Sequence, residues 1–275
     1  MSGSATLLGL SMLCYLLGAV SLGANLFLRR PWLLAAGRTF AVLAALLHGG
    51  AIGLRCVEVR HAPFTTPAES LSLLAWIVCL LYLGMEALWR LSAAGPFALG
   101  LSFLLVLIGA GLSGAGGPPG SQYAELLAER AISLHILATV AAIGAFALAF
   151  SCAALYLTQH HILKSKNGLA WVKRLPPLAT VESAGFLLVA IGFPLLTLGI
   201  LSGLVRAGEG GLPPGWQTDG KTLLAFVVWG VYAAYLVARL GLNWPPVRTA
   251  YILIAGLALS LLLFLVPSAA HQFAR

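Results

Sequence analysis

The sequence predicts an all-α, polytopic membrane bundle of about eight transmembrane helices with both termini outside. The first observation is composition: of 275 residues, 60% are hydrophobic and 9% are charged, and the mean hydropathy is +0.96. A soluble core of this size cannot hide so much apolar surface. The second is that apolar runs near the roughly 20 residues that cross the hydrocarbon layer as a helix recur along the chain, without the alternation of a barrel. Residues 1–275 are therefore expected to form a single membrane domain.

Short polar connections separate eight apolar runs. The runs cover residues 5–27, 39–54, 70–88, 95–113, 131–157, 183–203, 222–238 and 249–266. The first run is preceded by no Lys or Arg and followed by Arg29, Arg30 and Arg38, the reverse of the charge order of a cleavable signal peptide. The most basic connection, 159–177, lies between the fifth and sixth runs.

The distribution of charge predicts the orientation. With this topology ten Lys and Arg residues fall on the inner side and six on the outer side. The ten are Arg29, Arg30, Arg38, Arg90, Lys164, Lys166, Lys173, Arg174, Arg239 and Arg248. The only acids on the inner side are Glu86 and Glu182. The positive-inside rule therefore predicts outer termini and a bacterial inner membrane, and the lack of a soluble basic groove argues against a nucleic-acid partner.

Two histidines are expected at the outer face. His135 lies near the start of the fifth run, about one helical turn inside, and His271 follows the last run. Neutral imidazole is a strong axial ligand for haem iron, so the pair can hold iron from both faces. The alternative is that each is a lone interfacial histidine. The chain has no C-x-x-C-H motif, so a haem here would be non-covalent, and its four scattered cysteines are typical of packing residues.

A polar, turn-rich segment, residues 213–222, separates the sixth and seventh runs and is expected to lie on the membrane surface. Trp216 offers an aromatic surface for a flat macrocycle, and Asp219 adds charge beside it. Three cations suit pairing with haem propionates: Lys221, Arg206 and Arg130. The alternative for these residues is anchoring at the lipid interface, which would by itself explain Trp and Arg at this depth.

The remaining candidates have simpler alternatives. His48 lies near the middle of the second run and is either an internal haem ligand or a core histidine with satisfied hydrogen bonds, and we favour the latter. His61, in the first outer loop, either approaches the same outer site or is a free surface histidine. Glu69 suits the positive end of the third helix. No Ser-His-Asp set, carboxylate pair, phosphate loop or zinc motif supports hydrolysis or phosphoryl transfer.

Several segments together resemble the cytochrome c assembly protein family, the CcsA, CcmC and HemX-like haem-handling membrane proteins. The stretch from His61 through Glu69 to Trp76 resembles the family's G-H-F-P-x-x-N-x-x-E-S-L-x-x-L-x-W. Residues 216–221 resemble a reduced W-x-W-D-P-K. His135 and His271 stand in the places of the family's two external histidines.

The resemblance implies a non-covalent, b-type haem held at the outer face by His135 and His271 beside the tryptophan-rich segment. Thr218 stands where the full motif has a second tryptophan, and Val237 where the synthase members have a histidine inside the membrane. These departures favour the shorter, eight-helix HemX-like branch. A complete cytochrome c synthase, and hence an enzyme, is not expected.

Three functions follow as hypotheses. The first is a haem-binding protein of the inner membrane that serves cytochrome c assembly or haem trafficking, with apocytochrome c or other assembly proteins as partners. The second is a HemX-like regulator of haem biosynthesis that acts through a partner enzyme on the basic inner loops. The third is a haem-free small-solute permease, for which His48 and Glu86 would supply polar groups at membrane depth.

Overall fold

The computed structural model describes residues 2–59, 66–112, 130–165, 175–208 and 215–266. These ranges contain eight α-helices: α1 Gly3–Leu28, α2 Pro31–Val59, α3 Pro67–Trp89, α4 Gly95–Leu112, α5 Arg130–Ser165, α6 Leu178–Gly208, α7 Gly220–Leu236 and α8 Pro246–Leu262. Short 3₁₀ segments, Ser92–Ala94 and Trp216–Thr218, precede α4 and α7, and a π-helical segment, Val237–Gly241, extends α7. The all-α prediction is confirmed.

Seven of the described helical segments are long and apolar enough to cross a membrane, and α8 is an apolar helix of 17 residues. The protein is therefore a multi-pass membrane protein. Which side each terminus occupies stays a prediction from the charge distribution.

Consecutive helices run in alternating directions. Ser4 at the start of α1 donates to Glu58 at the end of α2, with Oγ 2.7 Å from Oε2. Farther along the chain, Arg239 just beyond α7 pairs with Glu182 near the start of α6. One end of the bundle thus holds the starts of α3, α5 and α7, and we call it the His135 end. The opposite end, where α1 and α3 finish, is the Arg90 end.

Helix α5 lies at the centre of the bundle. The window of α5 most suited to crossing a membrane is 67% buried, more than in any other span of the described residues. Small residues allow the neighbouring helices to approach it. Gly144 faces Ile77 of α3, and Gly192 of α6 faces Phe146, whose ring stacks on Tyr232 of α7 at a centroid distance of 3.5 Å. Close packing at small residues is the usual source of association between helices in lipid.

The helices continue beyond the apolar runs that the sequence analysis identified. The second helix covers Pro31–Val59 instead of 39–54, and the fifth continues to Ser165, so the start of the predicted basic connection is helical. Hydropathy marks the part of a helix that lies in hydrocarbon, whereas hydrogen bonding and ion pairs extend a helix into the interface. Arg38, predicted to precede the second helix, lies within it and pairs with the buried Glu86 of α3.

The start of α3 shows how local sequence sets a helix boundary. Thr66 is the N-cap, and its Oγ1 accepts a hydrogen bond from the backbone N–H of Glu69 at 3.2 Å. Pro67 occupies the first turn, where its missing N–H costs nothing. The predicted placement of Glu69 at the positive end of this helix is confirmed, and its carboxylate also pairs with Arg55 of α2 at 3.2 Å.

Candidate functional site

His135 lies in the second turn of α5 and is anchored to α6. Its Nδ1 is 2.7 Å from the carbonyl oxygen of Gly199 and 3.3 Å from Oγ of Ser202. A carbonyl can only accept a hydrogen bond, so Nδ1 carries the proton. In the neutral ring Nε2 then carries the lone pair. A histidine whose Nδ1–H is held by a backbone carbonyl is the usual arrangement for a ligand that coordinates metal through Nε2.

Close approach of α5 and α6 makes this hydrogen bond possible. A Cβ at position 199 would lie 2.4 Å from Cγ2 of Thr139, so only glycine permits the observed separation. Ser202 also donates to the Gly199 carbonyl at 2.7 Å, and Thr139 donates to the carbonyl of His135 at 2.8 Å. The backbone on both sides of the imidazole is therefore held by side chains of the two helices.

The segment before α7 contributes a cation to the same end of the bundle. Gly215, with φ of 85°, turns the chain into the 3₁₀ segment that contains the half-buried Trp216. Asp219 is the N-cap of α7, and its Oδ2 accepts from the backbone N–H groups of Lys221 and Thr222 at 3.1 and 3.3 Å. Lys221 therefore lies in the first turn of α7, which begins at the same end of the bundle as α5.

The chain that follows α8 lies beside the start of α7. A Cβ on Gly220 would lie 3.4 Å from Cγ1 of Val266, the last described residue. The chain therefore leaves the described part beside the start of α7. His271 follows five residues later and lies outside the described residues, as does His61.

Two further predicted residues belong to the His135 end. Arg206 lies in the last turn of α6, on the same helix as the carbonyl that holds His135. Arg130 is the first residue of α5, and its side chain lies outside the described part of the structure. The fold thus places His135, Lys221, Trp216 and Arg206 at one end of the bundle, and their role at a haem site stays a prediction.

His48 lies apart from this group. It is fully buried, with Nδ1 2.9 Å from the Tyr15 hydroxyl and Nε2 2.7 Å from Oγ of Ser72. Because both ring nitrogens have partners on neighbouring helices, the geometry favours the interpretation as a core histidine with satisfied hydrogen bonds. All four cysteines are free thiols, and the described residues contain no group of three or more His, Cys, Asp or Glu that could hold a metal ion.

Gly199 and Ser202 were not predicted as part of the site. The signal available in the sequence was the spacing of small residues at positions 199, 202 and 203, which places them on one face of a helix. Such a stripe indicates a close helix contact without identifying the partner. The ion pairs of Arg38 with Glu86 and of Arg239 with Glu182 were also missed, although an ionisable group at membrane depth predicts some partner.

Similarity to known proteins covers most of the chain. The cytochrome c assembly protein family matches residues 64–272. The cytochrome c biogenesis protein CcsA of Parasynechococcus marenigrum is 30% identical over 237 residues, 78% of this chain and 77% of that protein. The CcsA of Thermosynechococcus vestitus is 27% identical over 290 residues, 90% of this chain and 86% of that protein. Protein HemX of Bacillus subtilis is 29% identical over 181 residues, and this match covers 65% of this chain and 63% of that protein.

Proposed function

The chain belongs to the cytochrome c assembly protein family, and from this membership we propose that it serves cytochrome c assembly or haem trafficking by binding non-covalent haem b at the outer face of a bacterial inner membrane. The family supports a role in cytochrome c biogenesis. The single observation that carries the haem proposal is the His135 imidazole, whose Nδ1–H is held 2.7 Å from the Gly199 carbonyl.

The residues proposed to hold haem are His135, through Nε2, and His271. Bound haem would supply an iron that imidazole nitrogens can coordinate. The carbonyl of Gly199 fixes the tautomer and the plane of the His135 ring before any ligand arrives. His271 follows the segment that ends beside Gly220, so four residues of chain lie between the described part and the second ligand.

The neighbouring side chains suit the rest of the ligand. Lys221, Arg206 and Arg130 are proposed to pair with the two propionates, as cations at a membrane interface do with carboxylates. Trp216 would pack against the macrocycle. Asp219 acts through its cap on α7, because its hydrogen bond to the N–H of Lys221 holds the first turn that carries this cation. His61 remains a further candidate at the outer face.

Substitution of the proposed ligands tests the assignment. His135→Ala and His271→Ala should each abolish or sharply weaken the bis-histidine absorbance after haem is added to the purified protein. His161→Ala is the matched control, because His161 is an exposed histidine near the Arg90 end of α5. Spectra that are the same in both ligand variants, the control and the unmodified protein would refute the site.

A HemX-like regulator of haem biosynthesis is the second candidate, favoured by the similarity to protein HemX and by Thr218 and Val237 at positions where the synthase pattern has Trp and His. Deletion of the gene separates the two. Loss of c-type cytochromes supports assembly, whereas altered levels of haem-synthesis enzymes with normal cytochromes support regulation. The permease hypothesis loses its support, because His48 and Glu86 both have partners on neighbouring helices.

A further inference from the structure

A cavity of about 450 Å³ opens at the Arg90 end of the bundle, away from His135. It lies between the ends of α1 and α3, the 3₁₀ segment before α4, and the residues that lead into α6. Its polar lining consists of Asn25, Arg29, Trp89, Arg90, Ser92 and Thr180. The residues that line this opening carry two guanidinium groups, two hydroxyls, an amide and an indole N–H, and all of these groups can donate a hydrogen bond.

The two arginines have an unusual backbone in common. Arg29 and Arg90 are the C-caps of α1 and α3, and both adopt the left-handed conformation, with φ of 49° and 53°. Glycine or asparagine is the ordinary residue at such a cap, because a larger side chain is strained there. Strain of this kind concentrates at ligand sites, where the side chain is needed. Here the same strained position places an arginine in the cavity lining from each helix.

Within the described part of the chain, neither of these arginines forms an ion pair with an acid. Among the described residues at the Arg90 end, the acids are Glu86 and Glu182, and they pair with Arg38 and Arg239. Residues 166–174, which connect α5 to α6 and lie outside the described part of the structure, contain no Asp or Glu. Two cations lining one cavity without a counter-charge make a favourable site for an anion.

The surroundings of the cavity are those of a lipid interface. Phe27, Leu28 and Leu88, beside the two arginines, are 63%, 63% and 75% exposed, which suits contact with acyl chains. Trp89 lines the cavity and is also partly exposed, as expected for a tryptophan at headgroup depth. An anion that reaches this site from the membrane interface would therefore be a molecule whose charged group is attached to acyl chains.

From these observations we propose that the cavity at the Arg90 end is a binding site for a phosphate monoanion, supplied by the headgroup of an acidic phospholipid. Arg29 and Arg90 hold the phosphate oxygens, and Ser92, Thr180 and Asn25 donate further hydrogen bonds to the headgroup. The bound lipid would join the ends of α1 and α3 to the start of α6. The site is separate from the proposed haem ligands and does not depend on haem being bound.

Lipid retention by the full-length protein tests the site. The protein is purified in detergent, incubated with phosphatidylglycerol or phosphatidylcholine, and examined by native mass spectrometry without added haem. One phosphatidylglycerol should remain bound. Phosphatidylcholine carries the same phosphate, but its choline cation would lie beside the two arginines, so this lipid should be lost. The Arg29→Asn/Arg90→Asn variant should bind phosphatidylglycerol roughly 25-fold more weakly, since it loses two cations near an anionic headgroup. Asparagine tolerates positive φ, so the two caps are preserved.

The control variant is Arg30→Asn/Arg248→Asn, which removes two arginines at the same end that do not line the cavity. It should retain the lipid. The single variants Arg29→Asn and Arg90→Asn, each expected to weaken retention roughly fivefold, provide the test if the double variant does not fold. Displacement of the lipid by inorganic phosphate would support the phosphate site with a soluble source. Equal retention of both lipids, or equal loss in the two double variants, would overturn it.

Discussion

Replacement of His48 by leucine distinguishes a core histidine from an internal haem ligand. The imidazole joins three helices, because its partners are Tyr15 on α1 and Ser72 on α3 while His48 itself lies on α2. The variant removes both interhelical hydrogen bonds and leaves the fully buried Tyr15 hydroxyl without its imidazole partner. A structural role therefore predicts a loss of stability with no change in haem binding.

The magnitude follows from the two hydrogen bonds. An interhelical hydrogen bond in a membrane protein contributes about 0.6–1.7 kcal/mol, so His48→Leu should lower the free energy of unfolding by about 1–3 kcal/mol. The upper part of this range is expected, because the abandoned Tyr15 hydroxyl is buried. Adding Tyr15→Phe to His48→Leu removes that hydroxyl, and the double variant should be less destabilised than the sum of the two single variants.

The assay combines unfolding in mixed micelles with the haem-to-protein ratio after haem addition. Tyr15→Phe alone serves as the control, since it removes one hydrogen bond and keeps the imidazole. Loss of haem binding by His48→Leu, with an unchanged free energy of unfolding, would refute a structural role for His48. Strict additivity of the two substitutions would refute the proposed coupling between Tyr15 and His48.

Two further predictions concern helix contacts. Gly199→Ala places a Cβ 2.4 Å from Thr139 and should separate α5 from α6, which would reduce both haem retention and the melting temperature. Gly230→Ala, with nothing within 4 Å of the added Cβ, should lower neither. Arg38→Met leaves the carboxylate of Glu86 buried without its cation. It should lower the free energy of unfolding by about 1–3 kcal/mol, less than for a fully buried pair because the Arg38 side chain is 46% exposed, and adding Glu86→Gln should recover part of that loss. Unchanged stability in Gly199→Ala would contradict the first assignment. No recovery of stability in Arg38→Met/Glu86→Gln would contradict the second.

The positions of the helices were predictable from the sequence, because the hydrocarbon core requires long apolar segments and polar residues separate each segment from the next. The rotation of each helix about its own axis was not. Arg38 and Glu86 are 48 positions apart, and their pairing depends on which faces of α2 and α3 meet. For His135, the position near one end of a helix was predictable, because the residue lies near the start of an apolar run. Its contact with Gly199 was not predictable, because it depends on the register of α5 against α6.

The central claim is tested most directly by the visible spectrum of the detergent-purified protein. The spectrum is recorded in the oxidised and reduced states, the haem is quantified as the pyridine haemochrome, and haem is added back to an apo sample. Exchangeable haem should give a b-type spectrum. Protein that retains no haem and binds none on reconstitution would contradict the proposed ligand and the proposed site, and would leave the helical bundle and its family membership unchanged.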